Sequence, residues 1–251
     1  MSSRTSGSLH ALLLLSDSAL PLGSFAFSSG LESFLGHHKY PSNNAKLQAF
    51  DSFLEQSISN VASTALPYVL TGYTEPEELE NLDNDFDAST PCTVARRASI
   101  GQGRALLAIW EKALAPSTAS TVRARDAATN VSDFATKVKT SRPDAFGMSL
   151  NAHFAPLFGV VSNALGLTTH DAAYLFLLNH AKAVLSAAVR ASVFGPYQSQ
   201  ATLASEKLQR WINDSVTRES NKKVRDSAVT TPTMDLWMGK HELLYSRIFN
   251  S

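Results

Sequence analysis

Seven histidines, at positions 10, 37, 38, 153, 170, 180 and 241, are the first side chains to test for metal chemistry. No two lie three or four apart, so no helix face presents the paired imidazoles of a local metal site. His37 and His38 are neighbours, which on a helix point roughly 100° apart. Cys92 is the single cysteine. One thiol excludes an intramolecular disulfide and any zinc site built on two or more cysteines. Its acidic surroundings raise a thiol pKa, which argues against a nucleophile. No G-x-S-x-G elbow is present. Gly101-Gln102-Gly103-Arg104 lacks the later Gly and Lys of a phosphate loop and follows no strand-like run, so its glycines read as sites of close helix packing. No Asp/Glu pair stands out as an acid/base couple. The reading is therefore no catalytic residues, no resident metal and no tightly bound cofactor. His153, His180 and Arg190 are polar groups within apolar stretches. A pocket joining all three would suit a helical enzyme with a buried small-molecule site; otherwise they are satisfied core groups.

Composition narrows the classes further. The 251 residues are 44% hydrophobic and 18% charged, enough to build a sizeable core. Basic and acidic residues balance at 22 each, which argues against a dedicated nucleic-acid binder. No apolar run approaches the about 18 residues of a membrane span. Leu9 to Leu15, with Arg4 upstream, is too short for a signal peptide and reads as a first core helix. One unpaired thiol fits a reducing compartment, so a cytoplasmic location is expected. The neutrality is a cancellation: residues 1–95 carry 3 basic and 11 acidic groups, and residues 96–251 carry the opposite surplus. Seven carboxylates between Thr74 and Pro91 have no base among them. This stretch, about 74–93, reads as a solvated acidic loop insert.

The elements that must position these groups are helices. Apolar residues recur at intervals of three and four through Leu47, Phe50, Leu54, Ile58 and Val61. Ile100 to Leu114, Phe154 to Leu165, Leu175 to Val189 and Leu203 to Val216 repeat the pattern. Pro156 belongs near the start of its helix. Ala172 to Phe194 is nearly all apolar and predicts a central buried helix, headed by Thr169-His170-Asp171 and ended by Gly195-Pro196. Ser29-Gly30-Leu31-Glu32 predicts a capping box. Strand and hairpin signals are nearly absent. The expectation is an all-α, single helical-bundle-like domain over 1–233, followed by a tail, 234–251.

Two clusters exceed what such a bundle needs. Ser18 to Ser28 contains Pro21 and Gly23, which force a turn, followed by Phe25 and Phe27. The tail, Met234 to Phe249, carries Trp, Tyr, Phe, two Met and an Arg, types enriched at protein interfaces. Docking onto its own core is the competing reading for the tail, and inward packing for the aromatics.

At these clusters the sequence resembles the UreF-type urease accessory proteins. Leu13 to Phe25 followed by Ser28-x-Gly30-Leu31-Glu32 is similar to the family's opening motif. His241-Glu242-x-x-Tyr245-Ser246-Arg247-Ile248-Phe249-x-Ser251 is similar to its closing motif. His153 through Gly159 to Gly166, Ala188-Val189-Arg190, Gly195-Pro196 and Gln198 to Gln200 resemble the middle blocks; the match skips about 74–93 and 115–140. Phe27 departs from the hydrogen-bonding Tyr or His usual there. The resemblance implies an all-α, non-catalytic chaperone for nickel insertion into apo-urease, handling nickel at most transiently. It further implies a homodimer that pairs with a UreD/UreH-type protein and recruits a UreG-type GTPase. Pro21, Gly23, Phe25, His241, Glu242, Tyr245, Arg247 and Phe249 are then the partner-binding candidates. The expected mechanism is a tail loosely ordered until it meets its partner, then helical with His241, Tyr245 and Phe249 on one face. Arg247 would pair with a carboxylate. The rival role is a GTPase-activating protein using Arg247 or Arg104 as an arginine finger.

Overall fold

The stripe that starts at Leu47 becomes α3 (Asn43–Thr74), the longest helix in the computed structural model, which describes residues 6–140, 142 and 149–250. Arg4 and Ser251 lie outside those residues. Ser42 starts α3 by accepting a hydrogen bond from the Ala45 N–H. Pro67 lies in its interior and offers no N–H to the Ser63 carbonyl one turn earlier. That carbonyl takes a donor from outside the helix, the Ala228 N–H at 3.3 Å. The helix thus continues through its proline and gains a tie to the segment preceding the tail.

Against α3 pack α7 (Phe154–Ala164), α8 (Thr169–Arg190) and α10 (Glu206–Glu219), and α5 (Thr93–Ile109) packs on α7. Each forms where apolar residues recur at helical spacing. With α1 (Ser6–Ser16), α2 (Leu31–Gly36), α4 (Leu79–Ser89), α6 (Val122–Thr140), α9 (Pro196–Ala204) and α11 (Pro232–Lys240), the protein is all-α, with no strand among the described residues. Helices α3 and α7 make the closest pairing. A Cβ at Gly159 would overlap the Val69 carbonyl, and one at Gly103 would overlap the Ala152 carbonyl. Gly103 of α5 and Gly159 of α7 are therefore packing sites; the sequence predicts this for Gly101 and Gly103 alike, but Gly101 is exposed, with only the Phe27 ring at ordinary contact distance. Against the expectation that no apolar run approaches a membrane span, helix α8 is long and apolar enough to cross one; Ala173, Leu177, Val184 and Leu185 are nevertheless buried in the common core.

Several boundaries differ from expectation. Helix α8 ends at Arg190, not at Gly195-Pro196. Ser192 turns left-handed (φ 54°), and the Val193 N–H returns to the Ala188 carbonyl. Pro196 opens α9 instead. The stripe from Leu203 to Val216 is broken at Ser205, which caps α10 by accepting from the Leu208 N–H. The capping box at Ser29–Glu32 does not form: Ser29 and Gly30 are both left-handed, and the Glu32 N–H is taken instead by the Ser28 hydroxyl at 3.3 Å.

The largest correction concerns the acidic stretch. It is not a solvated loop but a short 3-10 turn and α4, with Leu79, Leu82 and Phe86 buried. Its carboxylates have inward work. Buried Asp83 accepts from the Asn151, Ala152 and His153 N–H groups. Asp87 pairs with Arg96 and holds His153 Nε2 at 2.9 Å. The spacing Leu79, Leu82, Phe86 was helical all along, and the density of charge outweighed it.

Candidate partner-binding site

Pro21 and Gly23 make the expected turn. Gly23 is left-handed (φ 70°) and starts a single 3-10 turn, Ser24–Ala26. The turn leaves Phe25 67% exposed, so this aromatic does not pack inward. Gly30 is also left-handed (φ 83°), and a Cβ there would lie 3.0 Å from the Met238 nitrogen of α11. The space beside Gly23 is open. Gly23→Ala should therefore cost about 1–2 kcal/mol from the backbone alone. Gly30→Ala should cost more, because α11 must also move. Denaturant unfolding of the two variants measures the difference.

The tail closes on this turn. Helix α11 ends at Lys240, His241–Leu243 form a 3-10 turn, and residues 244–250 run without helix. His241, Tyr245 and Phe249 consequently do not share a helix face. His241 and Phe249 are buried, whereas Tyr245 is fully exposed. The tail is docked on the chain's own body, not loosely ordered as expected. Glu32, in the first turn of α2, is the clamp. One carboxylate oxygen accepts from the Ile248 N–H at 2.6 Å; the other takes the Phe249 N–H at 3.2 Å and His241 Nε2 at 2.9 Å. The Asn250 N–H reaches the Ala26 carbonyl at 2.8 Å. From α8, Arg190 donates to the Phe25 carbonyl and lays its guanidinium over the Phe249 ring, 4.4 Å from the centroid.

A second tie is electrostatic. Glu242 bridges Arg97 of α5 and Arg247 of the tail, each at 2.6 Å. Arg97, then Arg247, hold its carboxyl below the usual carboxylate range by hydrogen bonds to the charged form. Arg97 also donates to the Asn250 carbonyl at 2.9 Å. The predicted carboxylate partner of Arg247 is thus Glu242. The result is one surface built from both chain ends. Its inner side is pinned by Glu32, Arg97 and Arg190, and its outer side shows Phe25, Leu243, Tyr245 and Ile248, all more than half exposed. Of the eight candidates, Phe25 and the five tail residues meet here, and Pro21 and Gly23 set the turn that presents Phe25. Glu32, Arg97 and Arg190 were not foreseen in this role. Their partners lie far along the chain, which no local spacing reveals.

The remaining candidates have structural posts. His37 and His38 each bond the backbone carbonyl four residues earlier, and both rings pack on Trp237. Arg104 Nε reaches the Asn151 carbonyl at 3.3 Å. His153 is wholly buried between Asp87 and Ser99. A cavity of about 390 Å³ lies behind the joined ends. His180 lines it, with Nε2 2.8 Å from Ser57 Oγ, and burial pushes its pKa down to about 4. His153 and Arg190 do not line it, so this cavity does not unite the trio that a helical enzyme was expected to use.

The UreF family model matches residues 45–207. An uncharacterized urease accessory protein UreF-like of Schizosaccharomyces pombe is 39% identical over 242 residues, covering 96% of this chain and 97% of that protein. Urease accessory protein F of Arabidopsis thaliana is 29% identical, over 94% of this chain and 90% of its own. Urease accessory protein 6 of Cryptococcus neoformans is 28% identical, over 97% of each. The full-length matches carry the similarity past the family-model limits toward both ends.

Proposed function

The chain belongs to the UreF family of urease accessory proteins, and on that premise we propose that it is a non-catalytic adaptor for nickel insertion into apo-urease. It works in the cytoplasm as a homodimer, binding a UreD/UreH-type accessory protein and recruiting a UreG-type GTPase. Nickel is cargo passed through the assembly, not a resident cofactor. The observation that carries this reading is the joined surface of the two chain ends. Four large apolar side chains stand exposed on segments held by a partly buried carboxylate and two arginines. A chain without partners gains nothing by exposing them, whereas aromatic and aliphatic anchors on a rigid base are what a protein partner needs.

This surface alters the expected mechanism. The partner meets a preformed platform, so binding does not bear the cost of ordering the tail. Arg247 is already paired with Glu242, which leaves it poorly placed as a free arginine finger. The experiment is co-expression of apo-urease with the accessory proteins, with and without this chain. Nickel content of the purified urease should fall to background when the chain is omitted. Equal nickel with and without it would remove the proposal.

A further inference from the structure

The cavity behind the joined ends has a chemistry of its own. Its walls come from α1, the opening turn, α3, α4, α5, α8 and α11, and they are mainly apolar: Leu22, Phe27, Phe86, Phe176 and Met234 face it. Two carboxylates line it: Asp17, which accepts from the Ala19 N–H, and Asp235 of α11. No hydrogen bond or ion pair joins its carboxylate to any described residue, and burial pushes its pKa up. Lys182, on the same wall, is committed elsewhere: its ammonium donates to the Ser16 carbonyl and lies in the field of Asp17. His180 is uncharged at neutral pH, and its Nδ1 has no partner among the described residues.

A half-buried carboxylate on the wall of an apolar cavity, with the N-terminal end of α11 but no ionic partner beside it, gains from a ligand that supplies the opposite charge. An anion would be repelled. A neutral apolar molecule would remove the remaining water from Asp235 and give nothing back. A tightly held metal ion needs several ligands, and no group of three His, Cys, Asp or Glu side chains is gathered anywhere among the described residues. We propose that this cavity is a binding site for an organic cation on an apolar stem, an ammonium or guanidinium group that meets Asp235 while its hydrocarbon part fills the space among Phe27, Phe86, Phe176 and Met234. The volume, about 390 Å³, lies within the range of small-ligand sites. The cation is either a free amine or a Lys or Arg side chain of a partner, and the same contacts serve both. The site does not depend on the urease reading.

The test is a titration of the full chain with three probes of equal stem length: n-hexylammonium, 1-hexanol and hexanoate. Calorimetry gives affinity, and the Met234 and Met238 methyl resonances report location. Hexylammonium should bind about tenfold or more tightly than hexanol, as a charge-assisted hydrogen bond allows, and hexanoate should not saturate. Asp235→Asn should bring hexylammonium down to the level of hexanol. A capped Leu-Arg-Leu peptide that shifts the same methyls identifies a protein side chain as the source; hexylammonium binding without peptide binding identifies a free amine. Equal binding of the ammonium and the alcohol in the unaltered chain overturns the proposal, whatever the variant does. So does Ni²⁺ binding that depends on Asp235 in the absence of hexylammonium binding.

Discussion

Glu32→Ala releases residues 241–250 from the body of the protein while leaving the helical core folded. The carboxylate accepts two backbone N–H groups and the His241 imidazole, and nothing else in α2 reaches the tail with equal effect. Hydrogen bonds to a charged acceptor contribute about 1.5–3 kcal/mol each, and a buried donor left without a partner costs about 1–3 kcal/mol. Three such losses together exceed what the burial of Phe249 alone can hold, about 1.5–3 kcal/mol for one side chain. Hydrogen exchange should show the Ile248 and Phe249 amides losing protection, with α3 and α7 unchanged. Proteolysis after Lys240 and Arg247 should accelerate together. Glu32→Gln keeps one acceptor oxygen at the same place and should retain part of the protection. Unchanged exchange in Glu32→Ala would assign the docking to the Arg97–Glu242–Arg247 bridge and the Arg190–Phe249 contact instead.

The core was legible and the joint was not, for one physical reason. Helical periodicity is a local signal, so the stripes of α3, α5, α7 and α8 appear wherever apolar residues recur every three or four positions. Helix α6 escaped notice because its buried face is built on Ala124, Ala127, Val131, Phe134 and Ala135, small residues that contrast weakly with their surroundings. Charge misled where it faced inward. Asp83 and Asp87 look solvent-directed in a run of seven carboxylates, and only the folded chain shows the three amides and the arginine that wait for them. Glu32 is the sharpest case. Its spacing from Ser29 fits a capping box, yet its oxygens are taken by residues more than two hundred positions away. The sequence marked both ends as unusual; that they form one object is a property of the fold.

Tyr245→Ala and Phe249→Ala, four residues apart, should separate partner recognition from self-docking. Tyr245 is fully exposed and touches little of its own chain, so its removal should leave stability within about 0.5 kcal/mol. If the joined ends are the partner surface, the same change should weaken binding to the UreD/UreH-type protein by about 2 kcal/mol, roughly thirtyfold. Phe249 is 4% exposed and lies under the Arg190 guanidinium. Its truncation leaves a cavity and an uncovered cation, at a cost of about 3–5 kcal/mol to docking of the tail. It should therefore weaken the complex indirectly, with loss of amide protection in residues 241–250 as the accompanying sign. Arg247→Ala falls between them, because it removes half of the Glu242 bridge from a surface that keeps Arg97. Binding titrations and hydrogen exchange on the three variants give two independent axes. A Tyr245→Ala protein with normal exchange and normal affinity would show that the exposed aromatic is not an anchor, and the partner would then have to be sought on another face.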